Sequence, residues 1–306
     1  MLEAVREALD GALRLYPDPE ARALRARAAE VYGVPADHVM AGNGSDELLV
    51  LLLRATVEPG DRVAFPVPTY SLYETLVAVQ GGETVRVPWT PEWRLPAALG
   101  EARARVTFVC NPNAPSGSML AIEEVERFAR EATGLVVVDE AYVDFADDHA
   151  MRLVGRLANV VVLRSFSKSF SLAGVRLGLC FAHPDLLAGL RTVKDSYNVN
   201  RLTQAAGVAA LSDLAWMRDN VRRIRATRSV LTRGLEALGY LVLPSAANFV
   251  LARRPGIDQR ATWEALAARG ILVRHFATPG LEDALRITVG TDEEIGSLLA
   301  ALASRA

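Results

Sequence analysis

The chain has 306 residues, 51% of them hydrophobic and 23% charged, a balance that excludes a disordered, collagen-like or low-complexity protein. Its length allows one large domain or two modest ones. With 34 Lys and Arg against 36 Asp and Glu the net charge is −2 and no basic block occurs, so neither nucleic acid nor a membrane surface is expected as partner, and small molecules are. The two cysteines, Cys110 and Cys180, sit inside apolar runs and read as buried thiols in a reducing compartment, most simply the cytoplasm. Charges interrupt the first twenty residues, where a signal peptide needs an apolar run. The longest apolar run, Leu48–Leu53, falls far short of the ~20 residues that span a bilayer.

The chain enters directly into a helical pattern, with Leu2, Val5, Leu9 and Leu13 on one face. Apolar, β-branched runs then alternate with amphipathic stretches. Strands are expected at Arg62–Phe65, Thr84–Val87, Val106–Cys110, Leu135–Asp139, Val160–Leu163 and Val175–Phe181, with a helix at Ile122–Glu131 presenting Ile122, Val125 and Phe128. Near-continuous apolar strands imply a sheet covered on both faces, the doubly wound α/β class. After Asn200 an Arg-rich helical region runs to Leu238. Short strands at Tyr240–Leu243, Asn248–Ala252, Ile271–Arg274 and Ala284–Val289 follow, with a helix at Thr262–Arg269, and read as a smaller α+β unit.

Four stretches carry chemistry. AGNGSDELLVLLL, from Ala41, is a loop entering a helix N-terminus, where free N–H groups and the dipole favour a phosphate; alone it is equally an ordinary helix cap by Ser45 or Asp46. CNPNAPSG, from Cys110, is a turn after a strand and by itself has no functional content. VVVDEAYVDF delivers Asp139 at a strand's carboxyl end, where open α/β sheets place ligands, and a buried aspartate needs a cationic or hydrogen-bonding partner. SFSKSFSLAGVRLG places Lys168 among hydroxyls and small residues at a strand end, with Arg176 eight residues on. A partly desolvated lysine favours its amine form, as Schiff-base chemistry requires, and Ser165, Ser167 and Arg176 can gather around a dianionic phosphate. His38, His149, His183 and His275 are scattered without metal-binding spacing.

In this order the motifs resemble the fold-type I pyridoxal-phosphate-dependent aminotransferases, and within them the histidinol-phosphate aminotransferases. The resemblance runs collinearly from Tyr16 to Thr291 through YPDPEARALRARAAEVYGV, GNGSDELL, PVPTYSLYE, NPNAPSG, VVVDEAYVDF, SFSKSFSLAGVRLG, ANFVL, GILVRHF and LRITVGT. It implies an N-terminal helix or arm over residues 1–20, associated with the small domain and a dimer partner. It further implies a large cofactor domain over 21–200, with a mostly parallel seven-stranded sheet flanked by helices, and a small α+β domain over 201–306. The implied cofactor is pyridoxal 5′-phosphate. By resemblance Lys168 forms the Schiff base and shuttles the proton, Asp139 pairs with the pyridine nitrogen, Tyr142 hydrogen-bonds the phenolate oxygen, and Tyr70 stacks on the ring. Gly44, Ser45 and Asp46, with Ser165, Ser167 and Arg176, hold the phosphate. Tyr16 reaches the neighbouring subunit's cofactor phosphate, so a homodimer is implied. Arg286 takes the substrate carboxylate and Arg274 a substrate phosphate.

The expected reaction moves an amino group between histidinol phosphate and 2-oxoglutarate, with a small-molecule amino donor and a 2-oxo acid acceptor as partners. The rivals are a threonine-phosphate decarboxylase of cobalamin synthesis, an aromatic aminotransferase and a non-catalytic binding protein of the same fold. Two departures stand out. The family turn has an asparagine before its second proline that bonds the phenolate oxygen; here that residue is Ala114, leaving Asn113 as the nearby amide. The N-terminal arm motif of relatives is missing, which implies either a start assigned too late or a short form with a more open pocket.

Overall fold

The computed structural model describes residues 1–9 and 13–304. Helices α1 (Leu2–Leu9) and α2 (Arg22–Tyr32) lead to β1 (Val39–Gly42) and α3 (Ser45–Thr56). Next come β2 (Arg62–Val67), α4 (Leu72–Gln80), β3 (Glu83–Pro88), α5 (Ala98–Glu101), β4 (Val106–Cys110), α6 (Ile122–Glu131), β5 (Leu135–Asp139), β6 (Val160–Ser165) and β7 (Gly178–Phe181). The chain continues through α7 (Pro184–Val193), α8 (Arg201–Ser212), α9 (Leu214–Ala237), β8 (Leu241–Val242), β9 (Phe249–Arg253), α10 (Arg260–Ala267), β10 (Arg274–His275), β11 (Ala284–Thr288) and α11 (Asp292–Ala303). Residues 10–12, inside the expected N-terminal helical pattern, lie outside the described residues.

Seven strands form one sheet in the order β1-β7-β6-β5-β4-β2-β3, parallel except for β7, which is antiparallel to both its neighbours. Alternation along the strands divides the core. Val136, Val138, Val160 and Val162 pack with Leu24 of α2, Ile122 and Val125 of α6 and Leu211 of α8. Val137, Val161 and Leu163 face Leu48 and Leu52 of α3, Tyr73 and Val77 of α4, and Leu187 and Leu190 of α7. Each fully buried Leu or Val contributes roughly 1.5–3 kcal/mol, so both faces are needed to hold the sheet. A second sheet, β10-β11-β9-β8, is antiparallel throughout and packs with α9 and α11 around Leu235, Val250, Ile287 and Leu298.

Strands β4 and β5 match their expected bounds residue for residue. Strand β1 has no counterpart among the expected strands; in the sheet it is held only by its pairing with β7. The last strand of the large sheet begins at Gly178 rather than Val175, because residues 173–175 form a 3₁₀ turn and Arg176 has φ +55°, a left-handed backbone that cannot extend a strand. Residues 201–212, expected with the smaller unit, form α8, whose buried Ala210 and Leu211 belong to the core of the large sheet. Helix α1 lies against α8.

Candidate active site

Register places Cys110 beside Asp139 and Asp139 beside Leu163, so β4, β5 and β6 end together and their loops converge. One cavity at these carboxyl ends is lined by Ser45, Asp46, Tyr70, Asp139, Tyr142, Ser165, Ser167, Lys168 and Arg176, together with Cys110, Ala114 and Ala141. Residues far apart in sequence thus meet where the topology of an open α/β sheet favours a ligand.

At one end of the cavity sits the N-terminus of α3, which has no side-chain cap and so leaves first-turn N–H groups for an incoming anion. Two glycines bring the chain close enough. A Cβ on Gly178 would lie 2.5 Å from the Ser45 nitrogen, and a Cβ on Gly44, at φ +84°, would lie 2.7 Å from Arg176 Nη2. Arg176 Nη2 donates to Asp46 Oδ2 at 3.2 Å, and its Nη1 reaches Ser167 Oγ at 3.5 Å. Tyr70 Oη donates to Asp46 Oδ1 at 3.3 Å.

At the other end Asp139 is buried. Tyr73 Oη donates to its Oδ2 at 2.7 Å and the Ala141 N–H to its Oδ1 at 3.2 Å. Burial raises the Asp139 pKa, and the Tyr73 hydrogen bond opposes the rise. Half-buried Lys168 lies between the two ends, its Nζ 5.4 Å from the Tyr142 ring centroid. Burial, and then the charge of Arg286, hold its amine below the ordinary lysine range. Tyr142 meets Phe249 edge-on at 5.0 Å, and burial pushes its hydroxyl up to about 12 against the pull of Arg286.

Arg274 and Arg286 stand directly opposite each other on β10 and β11, which puts their side chains on one face. Arg286 lies over the rings of Phe249 (5.2 Å) and Phe276 (5.9 Å), and Arg274 over Phe276 at 5.7 Å. Neither guanidinium has a carboxylate partner among the described residues. Like charges set opposite one another are destabilising, and the arrangement invites an anion.

Asn113 is a correction to the expected site. Its Oδ1 accepts from Thr69 Oγ1 at 2.8 Å, and its two Nδ2 hydrogens go to the Pro68 carbonyl (3.1 Å) and Ser116 Oγ (2.8 Å), so the amide is consumed within its own turn. Ala114, not Asn113, faces the cavity. Tyr16 lies outside the cavity, 76% exposed and stacked on Tyr197 at 4.3 Å. The residue that sequence reasoning passed over is Tyr73. Its signal was its place three residues after Tyr70 at a helix start, which turns both rings to one side.

A family model described as aminotransferase class I and II matches residues 1–302. Histidinol-phosphate aminotransferase 1 of Trichormus variabilis is 43% identical over 301 residues, covering 98% of this chain and 86% of that protein. Histidinol-phosphate aminotransferase of Citrifermentans bemidjiense is 44% identical over 303 residues, with 99% and 86% covered. Among solved structures, histidinol-phosphate aminotransferase from Sinorhizobium meliloti in complex with pyridoxal-5′-phosphate superimposes with a TM-score of 0.92 at 31% identity, covering all of this chain and 87% of that one. N-succinyldiaminopimelate aminotransferase from Mycobacterium tuberculosis gives a TM-score of 0.87 at 26% identity, with 100% and 89% covered.

Proposed function

The chain belongs to the class I and II aminotransferases, pyridoxal-phosphate-dependent enzymes, and on that premise we propose that it exchanges an amino group between histidinol phosphate and 2-oxoglutarate. The observation that carries the substrate class is the Arg274–Arg286 pair: two guanidiniums with no ion-pair partner among the described residues, one of which, Arg286, acts on Lys168, suit a donor with a carboxylate or phosphate at its far end. The curated relatives' names supply the identity of that donor.

The residues fit the cofactor. A half-buried amine of lowered pKa, a buried carboxylate, and an uncapped helix N-terminus beside a guanidinium answer an aldehyde, a ring nitrogen and a phosphate in turn. When bound, pyridoxal phosphate supplies an electrophilic carbon and a ring that withdraws electrons from the substrate Cα. The α3 N-terminus with Ser45, Asp46, Ser165, Ser167 and Arg176 holds the phosphate, and Tyr70 covers the ring. Asp139 keeps a proton on the ring nitrogen, while the Tyr142 hydroxyl hydrogen-bonds the phenolate oxygen. Lys168, its amine held below the ordinary lysine range, would be the nucleophile and would then carry the Cα proton to its new carbon. Arg286 orients the donor's carboxylate and Arg274 its phosphate. With Ala114 lining the cavity where an amide is expected, Tyr142 would be the group to hydrogen-bond the phenolate oxygen.

The same reading makes the protein a cytoplasmic homodimer in which Tyr16, exposed among Leu13 and Leu15, reaches the neighbour's cofactor phosphate. No helix among the described residues is long and apolar enough to cross a membrane. Sedimentation at micromolar protein tests the dimer, and a monomer with full activity overturns it.

Single-turnover spectra with histidinol phosphate, threonine phosphate, phenylalanine and glutamate test the reaction. Histidinol phosphate and glutamate are expected to bleach the visible band and release a keto product. Carbon dioxide from threonine phosphate, or no preference for the phosphorylated donor over phenylalanine, overturns the assignment.

A further inference from the structure

Tyr73 stands in the first turn of α4, wholly removed from solvent. Its ring stacks on Phe108 at 4.7 Å and 17°, meets the edge of Tyr70 at 5.5 Å, and leans on Phe65 at 5.8 Å. Held on three sides, the phenol cannot swing away without losing those contacts, so its hydroxyl has one place to be: 2.7 Å from Asp139 Oδ2. Such a bond favours the carboxylate over the acid, because a carboxyl oxygen that accepts a short buried donor is stabilised when charged. The other groups around Asp139 do not replace it. Cys110 of β4 has its thiol pushed up by burial and stays neutral; Asp46 of α3 opposes ionisation; Lys168 favours it but is itself held toward the neutral amine; Tyr70 and Tyr142 keep their protons.

We propose that Tyr73 is a positioning residue that keeps Asp139 ionised and aimed at the cofactor's ring nitrogen. It touches neither the cavity nor, in the reading above, the substrate; it acts through Asp139. The inference rests on Asp139 facing that nitrogen, so the test separates the two claims.

In the cofactor-free protein, the Asp139 carboxyl carbon is followed by NMR titration of ¹³C-aspartate-labelled wild type and Tyr73→Phe, assigned by its loss in Asp139→Asn. The phenylalanine keeps the ring packing and removes only the hydroxyl. The midpoint is expected to rise by about one pH unit or more. Phe108→Leu, which disturbs the ring stack and leaves the hydroxyl, is expected to titrate as wild type. Cofactor affinity in Tyr73→Phe is expected to weaken about tenfold, since a hydrogen bond to a charged group is lost. With cofactor ¹⁵N-labelled at its ring nitrogen, the resonance is expected to move toward neutral pyridine in Tyr73→Phe and further in Asp139→Asn. An unmoved midpoint in Tyr73→Phe, or an equal shift in Phe108→Leu, overturns the role of Tyr73. A raised midpoint together with a ring-nitrogen resonance that even Asp139→Asn leaves in place overturns the placement of Asp139 at the cofactor.

Discussion

Arg164, four residues before Lys168 in the chain, and Arg286, whose charge depresses the Lys168 amine, have opposite surroundings. Arg164 is 4% exposed, with Glu140 Oε2 2.8 Å from its Nε and Asp144 Oδ1 2.9 Å from its Nη1; Asp144 also accepts from Ser169, the residue after Lys168. Arg286 faces Arg274 across a strand pair, with aromatic rings beside it and no ion-pair partner among the described residues. Where the chain supplies the counter-charges, the cluster is complete and braces the loop that carries the lysine. Where it supplies none, the charge is left for a ligand. Desolvating a guanidinium is costly, so the half-buried Arg286, set opposite a second cation, leaves work for a bound anion.

The largest expected effect lies between the two clusters. Lys168→Ala is expected to lose at least about a thousandfold in turnover, by removing both nucleophile and proton carrier, and to lose the visible absorption of the loaded protein. A coloured, active variant would end the Schiff-base assignment.

Arg164→Met is expected to lower stability by about 3–5 kcal/mol in guanidinium unfolding, since Glu140 is left buried, and Asp144 half-buried, without a cation. Arg286→Gln is expected to leave stability within about 0.5 kcal/mol and to raise KM for the anionic donor roughly ten- to a hundredfold. If the two variants exchange these signatures, the contrast between a structural and a ligand-directed arginine fails. Arg274→Gln is expected to cost about tenfold, and only with phosphorylated donors, because its exposed side chain is screened by water. An equal loss with glutamate would remove it from the phosphate.

The smallest effect is a pH dependence. In the cofactor-free protein Lys168 is depressed by burial first and Arg286 second, so between its folded pKa and the ordinary 10.5 the unfolded chain carries a proton that the folded chain has released. Stability therefore gains with rising pH across that window. Lys168→Met is expected to remove the gain and Arg286→Gln to reduce it, read as the unfolding midpoint against pH.

Much of the large sheet was legible. The valine-rich runs of β4, β5 and β6 are bounded by turn residues and long enough to announce themselves, and the motifs at the ends of β5 and β6 bring out Asp139 and Lys168 as candidates. Strand β1 was not legible, because its partner in register, β7, lies 136 to 142 positions away. Asn113 shows the same limit at a single side chain. Its amide was visible in the turn, but its direction depended on Thr69, Pro68 and Ser116 claiming every polar atom.

The sequence alone determined which groups are present: the amine, the carboxylates, the guanidiniums and the strands that deliver them. Those follow from local apolar pattern and residue type. Only the tertiary structure decided which of them meet, that Tyr73 hydrogen-bonds Asp139 while the Asn113 amide is spent in its own turn, and which arginines are neutralised. Those outcomes depend on burial and on distances of about 3 Å between residues remote along the chain, a scale at which hydrogen bonds and pKa shifts are set.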